Sequence, residues 1–412
     1  MRRREFLRQW DKEIGYNFFK TSDFIFNDDC IIIKGALTFD IAICPQCGHA
    51  CSKIHQIHKK NSRRLRDLDI FNKPCFIEFP RRRFYCERCD KPFTEHLSFA
   101  GFGHRYTYRY EQYIFNRCKN CDLKTVSELE KLGYHAVKDI YYRLCKEQQA
   151  QQQHDESVIE IIGIDEISLK KRHKQFILII SDLKRKCVID VLPNREKATL
   201  SNWFNSLSEE QKNKIRIISI DMWEPYLQAI NQQLPHAEVV VDRFHVMKNL
   251  NDSISKTRRN LQNQATDEQK QQLKGLRWVL LKNEENLSDK EQQKLDLMYE
   301  LSPELKSCHQ LKEQFRHIFE QGKNGQITNP KQAELAFDEW ETNVKKSQLD
   351  HLIKFLDTLN NWKPYILNYF LEKYPGVTNG FVEGTNTKLK LIMRRGFGFT
   401  SFENFRFRII NH

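Results

Sequence analysis

Apolar residues in the second half of the chain fall into short unbroken runs and longer, spaced ones. Residues 158–164, 175–181 and 186–192 are compact stretches rich in Ile and Val, each of strand length, and Pro193 closes the third. Residues 198–207 carry apolar positions at helical spacing, after which 215–220 and 237–241 return to the strand pattern. Three close strands able to form a meander, followed by strands alternating with helices, predict a ribonuclease-H-like α/β sheet. From 244 to 375 the pattern is helical: Leu305, Cys308, Leu311, Phe315 and Ile318 recur at intervals of three and four, as one face of a helix does. Ser288 with Glu291 has the capping-box spacing, and Ser302-Pro303 and Asn329-Pro330 are helix starts. The expectation is an all-helical insertion, 244–375, between two segments of one α/β domain, 151–243 and 376–412.

Ahead of a glutamine-rich linker at 148–153, residues 106–145 predict three helices. The stretch 123–132 sets Val126, Leu129 and Leu132 on one stripe, Gly133 stops that helix, and 135–145 resumes with Val137, Ile140, Tyr141 and Leu144. Helix, glycine turn, helix is the helix-turn-helix pattern, assigned here to a module at 101–150. Lys138, Tyr142 and Arg143 are the polar residues its second helix could present to a DNA groove. Before it, residues 53–83 carry ten Lys/Arg against Asp67, Asp69 and Glu78. Arg63, Arg64 and Arg66 form one dense group and Arg81, Arg82 and Arg83 another, while Phe76, Ile77 and Phe79 give a strand-like character. A ribbon of strands studded with arginines suits contact with phosphates, which Arg can grip through two bonds.

Composition narrows the partners. The 412 residues hold 67 Lys+Arg against 54 Asp+Glu, a net charge of +13, which favours a polyanion such as nucleic acid. No apolar run approaches the roughly 20 residues of a membrane span, and the N-terminal MRRREFLRQWDKEIG lacks the apolar segment of a secretory leader. The expectation is therefore a cytoplasmic chain whose 12 cysteines bind metal, react or stay buried. Cys44-Pro-Gln-Cys47 and Cys86-Glu-Arg-Cys89 share the CxxC spacing, in which one tight turn aims two sulfurs at the same ion. Two such knuckles complete a four-thiolate zinc site, within a zinc-ribbon module at 1–100. Gly48 relieves the first turn. Residues 48–85 separate the knuckles, a longer interval than the roughly 15 to 20 of compact zinc modules. Core packing is the expectation for Cys118 and Cys121, and surface or packing roles for Cys51, His55 and His58.

Two strand runs end in carboxylates, Ile-Gly-Ile-Asp165 and Ile-Ser-Ile-Asp221. Those strands are neighbours in the predicted sheet, so the two acids would sit side by side, where they repel unless cations offset them. Hard divalent ions such as Mg²⁺ take oxygen ligands, and a pair of them can clamp an in-line phosphoryl transfer. Glu383 is the best candidate for a third carboxylate, because a basic helix with Lys388, Lys390, Arg394 and Arg395 follows it. Asp242 reads as a helix cap, and Glu166 and Asp190 as weaker candidates. No P-loop is present, so nothing supports ATP use.

Together these stretches resemble the bacterial insertion-sequence transposases of the ISL3 group over nearly the whole chain. The resemblance is carried by the CPxCG knuckle, RRRFYCERCDKPFTE, the helix-turn-helix pattern, GIDE at 163–166, DMWEPY at 221–226, VVDRFHVMKNLN at 240–251 and NGFVEGTNTKLKLIMRRGFGF at 379–399. It implies a DDE transposase with Asp165, Asp221 and Glu383 as the triad for Mg²⁺ or Mn²⁺, and structural Zn²⁺ in the front module. It also implies partners: the element's terminal inverted repeats, target DNA, and further protomers in a homo-oligomer at the bacterial nucleoid. Trp223 and His245 match family positions near the active site, where a role in positioning DNA is expected. In that scheme water attack nicks the element's end, and the freed 3′-hydroxyl then attacks target DNA. The competing readings are a non-catalytic zinc-ribbon and helix-turn-helix regulator, which has no reason to place acids beside a phosphate path, and a nuclease that cuts without joining.

Overall fold

The structure is a computed structural model and describes residues 3–13, 15, 18–153, 159–170, 175–272, 275, 277–371, 380–395, 399 and 401–411. The chain divides into two compact units, 1–154 and 155–410.

The first unit starts with helix α1 (Arg3–Glu13) and strands β1 (Phe19–Phe26), β2 (Ile31–Leu37), β3 (Ala42–Ile43) and β4 (Ala50–Cys51). Strands β5 (Ile54–Ile70) and β6 (Lys73–Cys86) then form a long antiparallel hairpin, followed by β7 (Lys91–Thr94). The hairpin closes on Phe71 and Asn72, both at positive φ (52° and 58°), the two-residue turn whose twist matches that of the strands. β2 pairs in parallel with one end of β6 and β7 antiparallel with the other. Phe19, Ile31, Ile33, Leu65, Cys75, Ile77 and Phe79 fill the core beneath the sheet. Helices α2 (Tyr108–Asn120), α3 (Leu123–Leu129) and α4 (Tyr134–Gln153) follow. Buried Asp67 of β5 ties α2 to the hairpin: it accepts from Thr107 Oγ1 at 2.8 Å and Arg109 Nε at 2.7 Å. The expected ribbon and helical modules are thus one compact unit.

The turn between α3 and α4 departs from expectation. α3 ends at Leu129, Lys131 takes the left-handed conformation (φ 51°), and Gly133 takes no positive φ. Instead Gly133 precedes α4, its carbonyl accepting from Ala136 and Val137. Glu130 is buried against Tyr113 and Arg117, which fixes the turn without a glycine, and Leu129 is 59% exposed, not part of the stripe.

The second unit contains β8 (Ile161–Lys170), β9 (Gln175–Asp182), β10 (Cys187–Leu192), helices α5 (Lys197–Asn205) and α6 (Glu209–Lys214), β11 (Ile217–Ile220), α7 (Glu224–Gln233) and β12 (Glu238–Val241). The sheet order is β10-β9-β8-β11-β12, with β8, β9 and β10 antiparallel in turn and β11 parallel to both β8 and β12. Helices α8 (Arg243–Gln264), α9 (Asp267–Gln272), α10 (Arg277–Leu281), α11 (Asp289–Leu301), α12 (Pro303–Lys323), α13 (Pro330–Ser347) and α14 (Asp350–Leu367) come next, then α15 (Gly380–Arg395) and α16 (Phe402–Ile410). The capping signals act as read: Ser302 and Asn329 accept from Leu305 N and Gln332 N, and Glu291 closes a capping box on Ser288.

The sheet buries both faces. Ile162, Ile164, Leu178, Ile180, Ile218 and Ile220 share one apolar cluster with α5, α7 and the helices of 243–370, including Leu305, Phe315 and Trp340. The helical stretch therefore packs as an extension of the sheet's own core. On the other face Ile167, Ile177 and Ile179 meet Leu389 and Ile392 of α15 and Phe405 and Ile409 of α16.

Candidate functional site

β8 runs on to Lys170 and does not stop at Asp165, because β9 keeps pairing with it; β11 pairs only as far as Gly163. Beyond that point the two parallel strands diverge at the same level, and β11 ends one residue before Asp221. The register, with Ser219 opposite Gly163, sets Asp165 and Asp221 abreast. Asp165 also shares a sheet face with Ile167, the face that α15 covers, by the two-residue alternation of a strand.

A third group joins them. β12 ends beside β11, Asp242 N donates to Ile220 O, and the Asp242 carboxylate caps α8 by accepting from Phe244 N at 3.0 Å, as expected. The first turn of α8 then brings His245 Nε2 to 2.8 Å from Asp221 Oδ1. One ligating atom each from Asp165, Asp221 and His245 lie within 4.8 Å of one another. Burial pushes the Asp221 carboxyl up to about 6, against the pull of His245 and with added repulsion from Asp165 and Glu166. Burial opposes charge on His245 too, but the hydrogen bond and charge of Asp221 win and raise it.

The donor set fits a divalent cation. Asp221 Oδ1 is buried beside His245 Nε2, and two carboxylates with an imidazole offer oxygen and nitrogen ligands at one edge. Glu383 lies in the first turns of α15, and its side chain is outside the described ones.

The weaker acidic candidates have structural partners. Glu166 accepts from Tyr226 Oη at 2.6 Å and from Arg195 Nη1 at 3.2 Å. Asp190 accepts from Trp203 Nε1 at 3.1 Å and from Arg406, joining α5 and α16 to β10. Trp223 is 38% exposed just before α7, and the Arg195 guanidinium sits 4.8 Å from its ring and 4.4 Å from that of Phe176. It is a rim residue and not part of the core.

In the first unit Cys44, Cys47, Cys86 and Cys89 converge within 4.8 Å. The Cys44–Cys89 and Cys47–Cys86 sulfurs are 3.9 and 3.5 Å apart; four sulfurs around a zinc ion at 2.3 Å would stand about 3.8 Å apart. Each knuckle ends in a left-handed residue, Gly48 (φ 69°) and Asp90 (φ 52°). The long interval between the knuckles is the β5–β6 hairpin, which leaves the site and returns to it. Although burial opposes it, hydrogen bonds from the Cys89 and Arg88 backbone and from neighbouring thiols bring Cys86 down to about 6. Cys51 stands behind, pushed up to about 11 chiefly by burial, and remains outside the four. Cys118 is fully buried in α2.

Alternation separates Arg82 from Arg81 and Arg83 on β6, whereas on β5 Arg64 and Arg66 share a face over the Phe76 ring and the cover of Tyr110 from α2 sets Arg66 apart. Arg66 turns inward to Asp69 at 2.8 Å and against the Tyr110 ring, and Arg82 is buried on Glu95 at 2.7 Å and on the Phe39 carbonyl. These two hold the fold together. Arg63 donates to the carbonyls of Gly101 and His104, Arg64 pairs with Glu78, and Arg143 of α4 pairs with Glu111 and Glu147. Arg81 is exposed and Arg83 half-buried, as are Lys138 and Tyr142 on α4; Lys390, Arg394 and Arg395 are exposed on α15. None of the described helices is long and apolar enough to cross a membrane.

Comparison with known proteins covers the same segments. Residues 162–409 match a family of ISL3-type DDE domains described as transposase. Residues 95–145 match the helix-turn-helix domain of transposase family ISL3, and residues 41–89 match the zinc-finger of transposase IS204/IS1001/IS1096/IS1165. Among curated proteins, the transposase for insertion sequence element IS1001 of Bordetella parapertussis is 28% identical over 375 residues, covering 90% of this chain and 89% of that one. The transposase for insertion sequence element IS1557 of Mycobacterium tuberculosis is 25% identical over 382 residues, 87% of this chain and 82% of its own.

Proposed function

Because the chain belongs to the ISL3 family of transposases, we propose that it binds the terminal inverted repeats of an insertion sequence and catalyses Mg²⁺- or Mn²⁺-dependent strand cleavage and transfer there. The observation that carries this reading is the meeting of Asp165, Asp221 and His245 at one sheet edge. The strand order and directions support a ribonuclease-H-like catalytic domain. Asp165 and Asp221 hold the metal, and Glu383 supplies a third carboxylate from α15, the helix that packs over the Asp165 face. When bound, divalent ions lower the pKa of the attacking hydroxyl and offset charge on the leaving oxygen. His245 orients Asp221 from the fixed first turn of α8. Glu166, held by Tyr226 and Arg195, fixes the strand next to Asp165, and the exposed Trp223 ring lies at the rim where DNA approaches. Zinc at the four cysteines holds the DNA-binding unit in shape, and the protein works as a dimer or higher homo-oligomer in the bacterial cytoplasm, at the nucleoid.

The test is a cleavage assay on a duplex carrying one element end. Asp165→Asn, Asp221→Asn and Glu383→Gln should each abolish cleavage in Mg²⁺ and leave end binding intact. Near-normal cutting by any of them removes that residue from the triad.

A further inference from the structure

The β5–β6 hairpin carries a feature that neither the zinc site nor the helices explain. Opposite Arg81 and Pro80, β5 skips from His58 to Ser62, so residues 59–61 bulge out of the ladder. Pro80 has no N–H to donate at that point, which removes a bond that would otherwise hold the strands in register. Beside the bulge lies a pocket of about 280 Å³ lined by His58, Asn61, Arg81, Arg83 and Thr94. Arg81 and Arg83 share a face of β6 because Arg82 between them points the other way, locked on Glu95. Neither Arg81 nor Arg83 forms an ion pair with a described residue, in contrast to Arg64, Arg66, Arg82 and Arg143. Two unpaired guanidiniums facing one pocket repel each other, and Asn61 and Thr94 add neutral donors. That is the chemistry of a site for a doubly shared anionic oxygen group.

We propose that this pocket seats one phosphodiester of the DNA backbone, making the bulged hairpin an anchor that acts independently of base sequence. The proposal rests on the DNA-binding role of this unit but not on which DNA sequence it prefers. The zinc knuckle supports one wall: β6 runs into Cys86, β7 leaves from Cys89, and Thr94 at the end of β7 pairs with Arg83. The pocket therefore requires the second knuckle to be closed.

The experiment is a salt titration of duplex binding with the full-length protein. Each phosphate neutralised contributes about 0.9 to the slope of log K against log salt. Arg81→Gln with Arg83→Gln should make the slope shallower by about one on element-end and random duplexes alike, with zinc content and melting unchanged. Lys290→Gln, exposed on α11 of the second unit and outside the pocket, should leave the slope near that of the wild type. Should the double variant misfold, Thr94→Glu, which offers Arg83 a carboxylate, should produce the same change. A scan of single methylphosphonate linkages should reveal one position that weakens wild-type binding and is silent in the variant. An unchanged slope with an unchanged scan overturns the pocket. A wild type that binds end and random duplexes equally would instead count against the inverted-repeat reading, and the pocket would still be measurable.

Discussion

The two clusters able to hold a metal ion differ in what the fold does for them. At the knuckles four thiols converge at the base of a hairpin, and little else lies around them: Ala42, Cys51, Phe84 and Phe93 make up the apolar surroundings. At the sheet edge the acids stand on strands whose neighbours form a core running from Ile162 through Phe315 to Phe370. The first arrangement needs its ion as a structural part, since apart from it there is little apolar burial to hold the turns. The second is complete as a fold and keeps two like charges together at some cost, which an ion would offset. On the proposed function, binding energy in one place would maintain shape and in the other would be reserved for chemistry.

This contrast can be broken in several ways. Asp221→Asn should lower cleavage by roughly a thousandfold or more, while the melting midpoint holds or rises because a buried like charge is gone. A falling midpoint would mean that the edge is structural after all. Cys86→Ser, or chelation of zinc, should do the opposite, weakening end binding by about a hundredfold or more and melting the first unit early. Calorimetry should show the transition of the sheet unit unmoved. Phe315→Ala, at the centre of the aromatic cluster with Trp340 and Phe355, should cost the second unit about 3–5 kcal/mol and leave zinc content alone.

The smallest effect concerns pH. His309 on α12 is buried beside Lys312, and burial with that like charge lowers it from 6.5 to about 4. The unfolded chain therefore binds a proton that the folded one refuses, so stability falls as the pH drops from about 6.5 towards 4. His309→Gln should flatten that decline in denaturant titrations at several pH values. An identical decline assigns the acid sensitivity elsewhere.

The sheet of the second unit was legible because buried strands leave continuous Ile and Val runs. The knuckles were legible because two CxxC turns flanking one basic segment seldom arise unless their thiols share an ion. β1 and β2 went unread: Lys20, Ser22 and Asp23 interrupt the apolar pattern of the first, and both belong to a sheet assembled from distant segments. The arginine triplet at 81–83 carried its own correction, since successive residues of a strand cannot all face one partner, and Arg82 lies inward. His245 was placed near the site by resemblance alone. A local signal existed in Asp242 three residues earlier, a strand-end cap that puts the following helical turn over the edge. Gly133 misled because Lys131, not the glycine, adopts the left-handed turn.

The shared core of the second unit bears on any attempt to shorten the protein. The stretch between β12 and α15 looks removable on a linear map, since of the candidate site residues only His245, on the first turn of α8, lies within it. Yet α14 and the aromatic residues around Phe370 lie in the same apolar mass as Val239, Val240 and Val241. Excising those helices would strip the roof from the sheet that holds the acids, and a trimmed variant would come out of expression as aggregate before its chemistry could be tried.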